Sequence, residues 1–408
     1  MINFIKRVSI EEKEFRIAIV DRFPHTTWYS WNLARELSKL LEGKGHLFLY
    51  GPRNRTYQVK DNYIYKSNWS SYLYPFQIVM QAVKDRVSIL HIQFEFTTFG
   101  FHTSPLILLL LFMLRVIGIK TVITLHGPVF PKNVKKEIIS NLVPRFAKIP
   151  ACLFYLYVIC IYKLISKLTA AIIVHARIFA KWLRMFGINN CVVIPHGVDI
   201  GFLHADNSTI VNIKQDKYEK TILFFGVLSP RKGLETLLQA FHIVVNTLPE
   251  VKLIIAGDEP IYYSGYKEKL IKISNKLGIN NKVSFLGKIP DEVVGHLFHE
   301  ADLVVLPYSY SISASGPLSL ALGYGKIVIV SKTEFFSEIF DNDLNYLLFT
   351  PNNYEELAEC ILKILTNNEI RKKTLSKLKE KALNLSWNNS ARLTIKLYTQ
   401  ILKGNSKK

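Results

Sequence analysis

The sequence predicts an α/β protein made of two doubly wound parallel sheets whose strand ends face each other across a cleft. Three observations predict it. Short apolar runs alternate with segments of helical period along most of the 408 residues. The runs end repeatedly in histidine, glycine or another polar residue, as strands do at the ligand-facing edge of a parallel sheet. The alternation lapses over Asn207 to Lys220 (NSTIVNIKQDKYEK) and then restarts, which divides the chain into units 1–206 and 207–384.

In the first unit Arg16 to Val20 (RIAIV) reads as a strand and Trp31 to Leu41 as a helix; His46 to Tyr50 is a second strand, closed by the turn residues Gly51 and Pro52. Val87 to Ile92 runs into His91, Gln93 and Glu95. Thr121 to Leu125 ends at His126 and Gly127, Ala170 to Val174 at His175, and Cys191 to Ile194 at Pro195, His196 and Gly197. These ends share one sheet edge, so His91, Glu95, His126, His175 and His196 are expected to approach a common cleft.

The second unit repeats the pattern: strands at Thr221–Phe225, Lys252–Ala256, Val283–Leu286, Leu303–Leu306 and Ile327–Val330, with helices between them. Its first turn, TILFFGVLSPRKG (Thr221 to Gly233), carries the clearest chemistry. Gly226 ends the strand where a Cβ would crowd the turn, and Gly233 opens a helix. The loop between them places Arg231 and Lys232 next to a helix N-terminus, whose free N–H groups also favour an anion. A lone RK pair reads as a solvated charge pair; at a strand-to-helix turn it reads as a phosphate site. A second stretch, Tyr308 to Gly325 (YSYSISASGPLSLALGYG), sets Ser313, Ala314, Ser315, Gly316 and Pro317 before a helix. By itself that loop is equally an N-cap. Together with Arg231 and Lys232 it reads as the other wall of a nucleotide-sugar pocket.

Composition fits this frame. Hydrophobic residues make up 49% of the chain, and the four cysteines (Cys152, Cys160, Cys191, Cys360) form no C-x-x-C spacing, so they read as buried thiols of a reducing compartment and imply no metal. The net charge is +20, and residues 101–200 hold 12 Lys and Arg against 2 Asp and Glu. An anionic partner is expected there: nucleic acid, an anionic membrane or a phosphate-bearing substrate. Nucleic acid is not expected, because no recognised module or basic aromatic platform is present. The start MINFIKRVSIEEKEF shows no secretory signal, and the location expected is cytoplasmic, peripheral to the inner face of the membrane. Pro105 to Leu114 and Ile149 to Tyr162 fall short of the roughly 18 to 20 residues of a membrane span and read as buried helices. The alternative for the second is that one face lies in the membrane interface, with Tyr155, Tyr157 and Tyr162 beside Lys163 and Lys167.

IPHGVD (Ile194 to Asp199), FFGVLSPRKGLETLLQAF (Phe224 to Phe241), KLIIAGDEP (Lys252 to Pro260), VSFLGKIPDE (Val283 to Glu292), ADLVVLPY (Ala301 to Tyr308) and SGPLSLALGYGKIVIVS (Ser315 to Ser331) together resemble the retaining family 4 glycosyltransferases of the GT-B fold, over nearly the whole chain. The resemblance implies two Rossmann-like domains and sugar transfer from a nucleotide-sugar donor with retention. It implies donor phosphates on Arg231 and Lys232, with Gly226, Ser313, Ser315, Gly316, Pro317 and Leu318 lining the donor pocket, and the base near Gly287 and Lys288. It also implies that the segment 385–408, after LSW (Leu385 to Trp387), crosses back onto the first domain, and that His126 contacts the donor sugar.

Two departures stand out. The family's glutamate pair falls at Ile312 and Leu320, or at Ser313 and Ala321 with a one-place shift, so hydroxyl recognition is assigned to Ser313, Ser315, backbone N–H groups or Glu338. The family's glycine pair falls near Trp28 and Tyr29. Glu95 and His126 are the candidates to orient an acceptor hydroxyl, with the departing phosphate as proton acceptor. Asp341, Asn342 and Asp343 form a D-x-D that reads as a surface turn, so no cofactor or metal is expected. The acceptor expected is a growing glycan or lipid-linked phosphate in the basic half. A non-catalytic GT-B partner subunit is the alternative reading.

Overall fold

The computed structural model describes residues 15–22, 28–53, 63–70, 72–96, 98–99, 103–128, 150–200, 220–311, 313–340 and 342–404. Among them lie two wholly parallel sheets. The first contains β1 (Phe15–Val20), β2 (Gly45–Pro52), β3 (Ile64–Trp69), β4 (Ile89–Phe94), β5 (Lys120–Leu125), β6 (Ala171–Val174) and β7 (Cys191–Val193), in the order β3-β2-β1-β4-β5-β6-β7. The second contains β8 (Lys220–Phe225), β9 (Val251–Ala256), β10 (Val283–Gly287), β11 (Leu303–Leu306), β12 (Val328–Ser331) and β13 (Leu348–Phe349), in the order β10-β9-β8-β11-β12-β13. Each order reverses once, between β1 and β4 and between β8 and β11. Such a reversal parts the flanking helices and opens a crevice at the strands' carboxyl ends.

Period-2 alternation shows how the first sheet is covered. Ile17, Ile19, Leu47, Leu49 and Val122 pack against α1 (Trp28–Leu41) and the last helix, α13 (Trp387–Lys403). Ala18, Val20, Phe48, Leu90, Ile92 and Ile123 face the other side, under α2 (Tyr74–Lys84), α3 (Ile107–Val116) and α4 (Ala151–Leu168). β3 and α2 were not legible as elements in the sequence: β3 is an edge strand of half-buried, largely polar residues, which carries no apolar run.

The expectation that the two apolar stretches are buried helices needs correction. Each helix buries one face only: Leu109, Phe112 and Val116 of α3, and Leu153, Leu156 and Leu164 of α4, are exposed. α4 also runs through Lys163 and Lys167 to Leu168 and reaches 18 residues, a length and composition able to cross a membrane. Two exposed lysines near its end do not stop a helix that has already propagated.

The remaining helices are α5 (Arg177–Met185), α6 (Leu234–Thr247), α7 (Tyr266–Lys276), α8 (Asp291–Glu300), α9 (Gly316–Gly323), α10 (Glu334–Ile339), α11 (Tyr354–Thr366) and α12 (Asn368–Asn384). α13 returns to the first sheet and packs along α1. It lands on the IPHGVD stretch. Val198 and Trp387 exchange backbone bonds with Leu385 and Val198, at 2.8 and 3.1 Å, Ser390 Oγ donates to the Pro195 carbonyl at 2.9 Å, and Arg35 pairs with Asp199 at 2.8 Å. Gly197 is required here, because a Cβ would sit 2.0 Å from the Trp387 ring. The expected boundary segment lies outside the described residues except for Lys220, which opens β8.

Candidate active site

The second sheet's reversal point carries the phosphate loop. β8 ends at Gly226 with φ 137°, and a Cβ there would point at Pro317, 3.4 Å away, so the first strand turn and the N-terminus of α9 face each other. Gly233, at φ 68°, leaves only 1.8 Å between its ideal Cβ and the Pro307 carbonyl. Glycine therefore lets the loop lie against the end of β11, a placement fixed also by Ser309 N–H donating to the Arg231 carbonyl at 2.9 Å.

That approach stacks both cations on one ring. Lys232 Nζ lies 3.6 Å from the Tyr308 ring centroid and the Arg231 guanidinium 5.5 Å from it. Tyr308 Oη is 3.2 Å from Ser315 Oγ, which accepts from the Leu318 N–H at 3.3 Å and caps α9. Arg231, Lys232, Ser315 and the first turn of α9 thus belong to one cluster. Lys232 is buried, and among the described residues neither cation pairs with a carboxylate. Burial, with Arg231 adding to it, holds the Lys232 ammonium well below the usual lysine range. A site that suppresses a lysine's own charge gains when an anion enters it.

Other expected donor residues are placed differently. Gly316 is open around its absent Cβ. Ser313 donates to its neighbour's carbonyl, at 3.1 Å. Lys288 is exposed at the end of β10, an edge strand two places from β8. Both oxygens of Glu338 are taken: they accept the N–H groups of Arg177 and Ile178, at 2.6 and 2.9 Å, and cap α5 of the first domain. It is a contact between domains, reinforced by Phe179 stacked on Phe335 at 5.9 Å. Leu320, at one expected glutamate position, is buried in the apolar core; Ile312 lies outside the described residues. So does Asp341 of the D-x-D, whose Asp343 pairs with Lys377 at 3.0 Å.

Across the cleft the strand-end histidines do meet. On the α13 face of β4 and β5 the apolar alternation is interrupted by His91, Gln93 and Thr124. Tyr398 Oη is 2.6 Å from His91 Nδ1, His91 Nε2 lies 2.7 Å from Thr124 Oγ1 and 3.2 Å from the Gln93 amide, Gln93 reaches His126 Nε2 at 2.8 Å, and His126 Nδ1 lies 3.3 Å from His175 Nε2. His175 Nδ1 is 3.0 Å from the Ile194 carbonyl. That last contact fixes one tautomer: a carbonyl only accepts, so His175 Nδ1 carries the proton. Gln93 bridges the next two rings, its Oε1 facing His126 Nε2 and its Nε2 facing His91 Nε2. Tyr398 Oη closes the chain at His91 Nδ1.

Burial keeps these rings neutral. It pushes His91 and His175 down to about 3 and His196 to about 4, and holds His126 well below its ordinary value, with the neighbouring histidines adding to the effect. Tyr29 fills the space between them, its ring centroid 4.5 Å from His126, 5.0 Å from His175, 5.2 Å from His196 and 5.0 Å from Trp387. At the reversal point of the first sheet Ser30 Oγ donates to Asp21, and Arg22 stands close enough to Glu95 to draw its carboxyl down. Glu95 opens to solvent in the cleft, whose walls raise its carboxyl above the ordinary range. No described contact joins it to His126.

The two domains meet around a small cleft lined by His175 and His196 on one side and Ser315, Leu318 and Ser319 on the other. Ser319 Oγ lies 3.0 Å from His196 Nδ1. Tyr29, Tyr308, Ser319 and Tyr398 escaped the sequence reading as site residues, and Gln93 was read only as a strand-end residue. Tyr308 carried the same signal, its position at the end of a buried strand.

Comparison with known proteins bears on what such a cleft holds. Residues 26–202 match the model described as Glycosyltransferase Family 4, and residues 207–383 the model described as Glycosyl transferases group 1. An uncharacterised glycosyltransferase of Methanocaldococcus jannaschii is 29% identical over 181 residues, 44% of this chain and 45% of that protein. The lipopolysaccharide 1,2-N-acetylglucosaminetransferase of Salmonella typhimurium is 28% identical over 191 residues, 44% of this chain and 48% of its own. The matches thus span about half the length of these relatives. The Anabaena protein HepE, crystallised with UDP, superposes with a TM-score of 0.67 at 18% identity, covering 97% of this chain and all of HepE; this likeness is one of fold.

Proposed function

For a chain whose two halves belong to the family 4 and group 1 glycosyltransferases of the GT-B fold, we propose transfer of a sugar, with retention, from a nucleotide-sugar donor to an acceptor hydroxyl. One observation carries the reading: the buried Lys232 beside Arg231, without a carboxylate partner among the described residues, at the β8/β11 crevice and against the first turn of α9. Diphosphate supplies the charge this site lacks. As the sugar–phosphate bond breaks, negative charge grows on the leaving oxygen, and the two cations stabilise it where it develops. The acceptor hydroxyl attacks from the same face and passes its proton to the departing phosphate. This chemistry asks no resident cofactor of the protein.

The neutral His126 serves in this reading as a hydrogen-bonding wall for the donor sugar, its ring fixed by Gln93 and His175. Glu95 is the acceptor-side candidate, since its raised carboxyl faces the open cleft. The acceptor is a growing glycan or lipid-linked phosphate, and the protein works at the cytoplasmic membrane surface. The similar Salmonella protein is by its name a lipopolysaccharide enzyme, which supports an acceptor of that class. A second reading, a non-catalytic partner subunit of the same fold, draws on Leu320, buried where the family carries a glutamate.

A panel of UDP-, GDP- and ADP-sugars tests both, scored by thermal shift and by nucleotide release, with the Arg231→Ala, Lys232→Ala double variant alongside. Release that the variant loses by about 100-fold or more is the expected result and names the donor. Binding without release, with glycan and lipid acceptors present, assigns the partner-subunit reading.

A further inference from the structure

The first domain carries one surface that neither the cleft nor the crossover helix explains. α2, α3 and α4 lie side by side on the face of the sheet opposite α1 and α13. Their inward sides are core. Their outward sides are apolar as well: Phe76 and Met80 on α2, Phe112 and Val116 on α3, and Leu153 and Leu156 on α4 are all exposed, Met80 by 71% and Val116 by 69%. So many exposed large apolar side chains on three neighbouring helices are uncommon on a protein that meets only water.

The charges on these helices have one sign. YPFQIVMQAVK, ILLLLFMLRV and ACLFYLYVICIYKLISKL contain no aspartate or glutamate; their cations are Lys84, Arg115, Lys163 and Lys167, all exposed. Three of these stand in the last turns of their helices. Helices that follow strands of one parallel sheet run in one direction, so Lys84, Arg115 and Lys167 form a row along a single rim. Arg115 Nη1 donates to the Lys167 carbonyl at 2.9 Å and joins the ends of α3 and α4.

We propose that this three-helix face docks onto an anionic lipid bilayer, the exposed side chains entering the headgroup boundary and the cationic row meeting lipid phosphates. Apolar area and uniformly positive charge on one surface match such a bilayer and no other single partner as well. α4 lies on the membrane rather than through it. Its other side supplies Phe154, Val158, Ile161, Tyr162 and Ile165 to the core, and a span would have to withdraw them. The helix N-termini stand at the strand ends, on the cleft side, so a lipid-borne acceptor would approach the cleft along this face. The inference deepens the proposed acceptor class and rests on that reading for its purpose, but not for its test.

The test is flotation of the full chain with vesicles of phosphatidylcholine alone or with phosphatidylglycerol, at low and high salt, without nucleotide. The wild type is expected to bind the anionic vesicles and to release with salt. Phe112→Glu with Leu156→Glu is expected to lower vesicle affinity by roughly tenfold or more, and Lys84→Glu with Lys163→Glu to abolish the preference for anionic lipid. An unchanged Tm and far-UV circular dichroism spectrum show that each variant is folded. No flotation, or flotation indifferent to both pairs, overturns the proposal. So does a lipid-free dimer that Phe112→Glu with Leu156→Glu dissociates, which assigns the face to a second copy. Vesicle binding without nucleotide release leaves this proposal standing and defeats the transfer reaction; release without vesicle binding does the reverse.

Discussion

Tyr398 and His91 stand 307 positions apart in the chain and 2.6 Å apart in space. The last helix thus ends its course in a hydrogen bond with the middle of the first sheet, where His91 is fully buried. Tyr398→Phe keeps the ring and leaves His91 Nδ1 unsatisfied. The expected cost is about 1 to 3 kcal/mol, seen as a lower Tm, with nucleotide binding at Arg231 and Lys232 retained. An unchanged Tm would mean that the bond does not hold the crossover helix.

Acid should unfold this protein through its histidines. In the unfolded chain an imidazole titrates near 6.5, whereas His91, His175 and His196 hold off their protons until about 3, 3 and 4. Between those values the unfolded state binds more protons, so stability is full above pH 6.5 and is lost as pH falls below it, by up to about 1.4 kcal/mol per pH unit for each fully titrating group. Asp21, raised to about 6 from 3.8 mainly by burial, and Glu95, also raised, act the other way, but they are two groups against four, since His126 is lowered as well. Tm measured from pH 7.5 to 5 should fall; a flat or rising curve would contradict a buried neutral cluster.

Lys232 should be worth more to binding than to folding. Replacing it with methionine removes a buried amine that has no carboxylate partner among the described residues and keeps most of the side chain's volume, so the ligand-free Lys232→Met protein should be as stable as the wild type or more so. Nucleotide-sugar affinity should fall by about 10- to 150-fold, the equivalent of a charge-assisted bond of 1.5 to 3 kcal/mol. In the wild type, nucleotide binding should weaken as pH rises through the depressed pKa of the free lysine, because the diphosphate then has to recruit a proton. Calorimetry across pH reads both; a variant that binds as well as wild type removes Lys232 from the site.

Gly197 should tolerate nothing larger. Alanine there meets the Trp387 ring, and the ring cannot retreat without moving α13 off the first sheet. Overpacking of about 1 to 3 kcal/mol is expected for Gly197→Ala, with faster proteolysis after Leu385. Full stability would show that Trp387 has room to turn.

What the sequence determined by itself was set by short-range order. Apolar runs and helical periods sit within a few residues of one another, so alternating strands and helices, two parallel sheets and a loop presenting Arg231 and Lys232 were legible without coordinates. The shared edge of a parallel sheet even brought His126, His175 and His196 together, whereas His91 joins them through Gln93 from the buried middle of β4. The tertiary structure alone decided their state. Which ring nitrogen carries a proton depends on a carbonyl at Ile194 and a hydroxyl at Tyr398; whether Lys232 is charged depends on burial against Tyr308, 76 positions on; and Glu338, read as a sugar contact, became a cap on α5 because two domains met. Hydrogen-bond partners, desolvation and the exposed sides of α3 and α4 depend on what packs against what, and no window along the chain contains that.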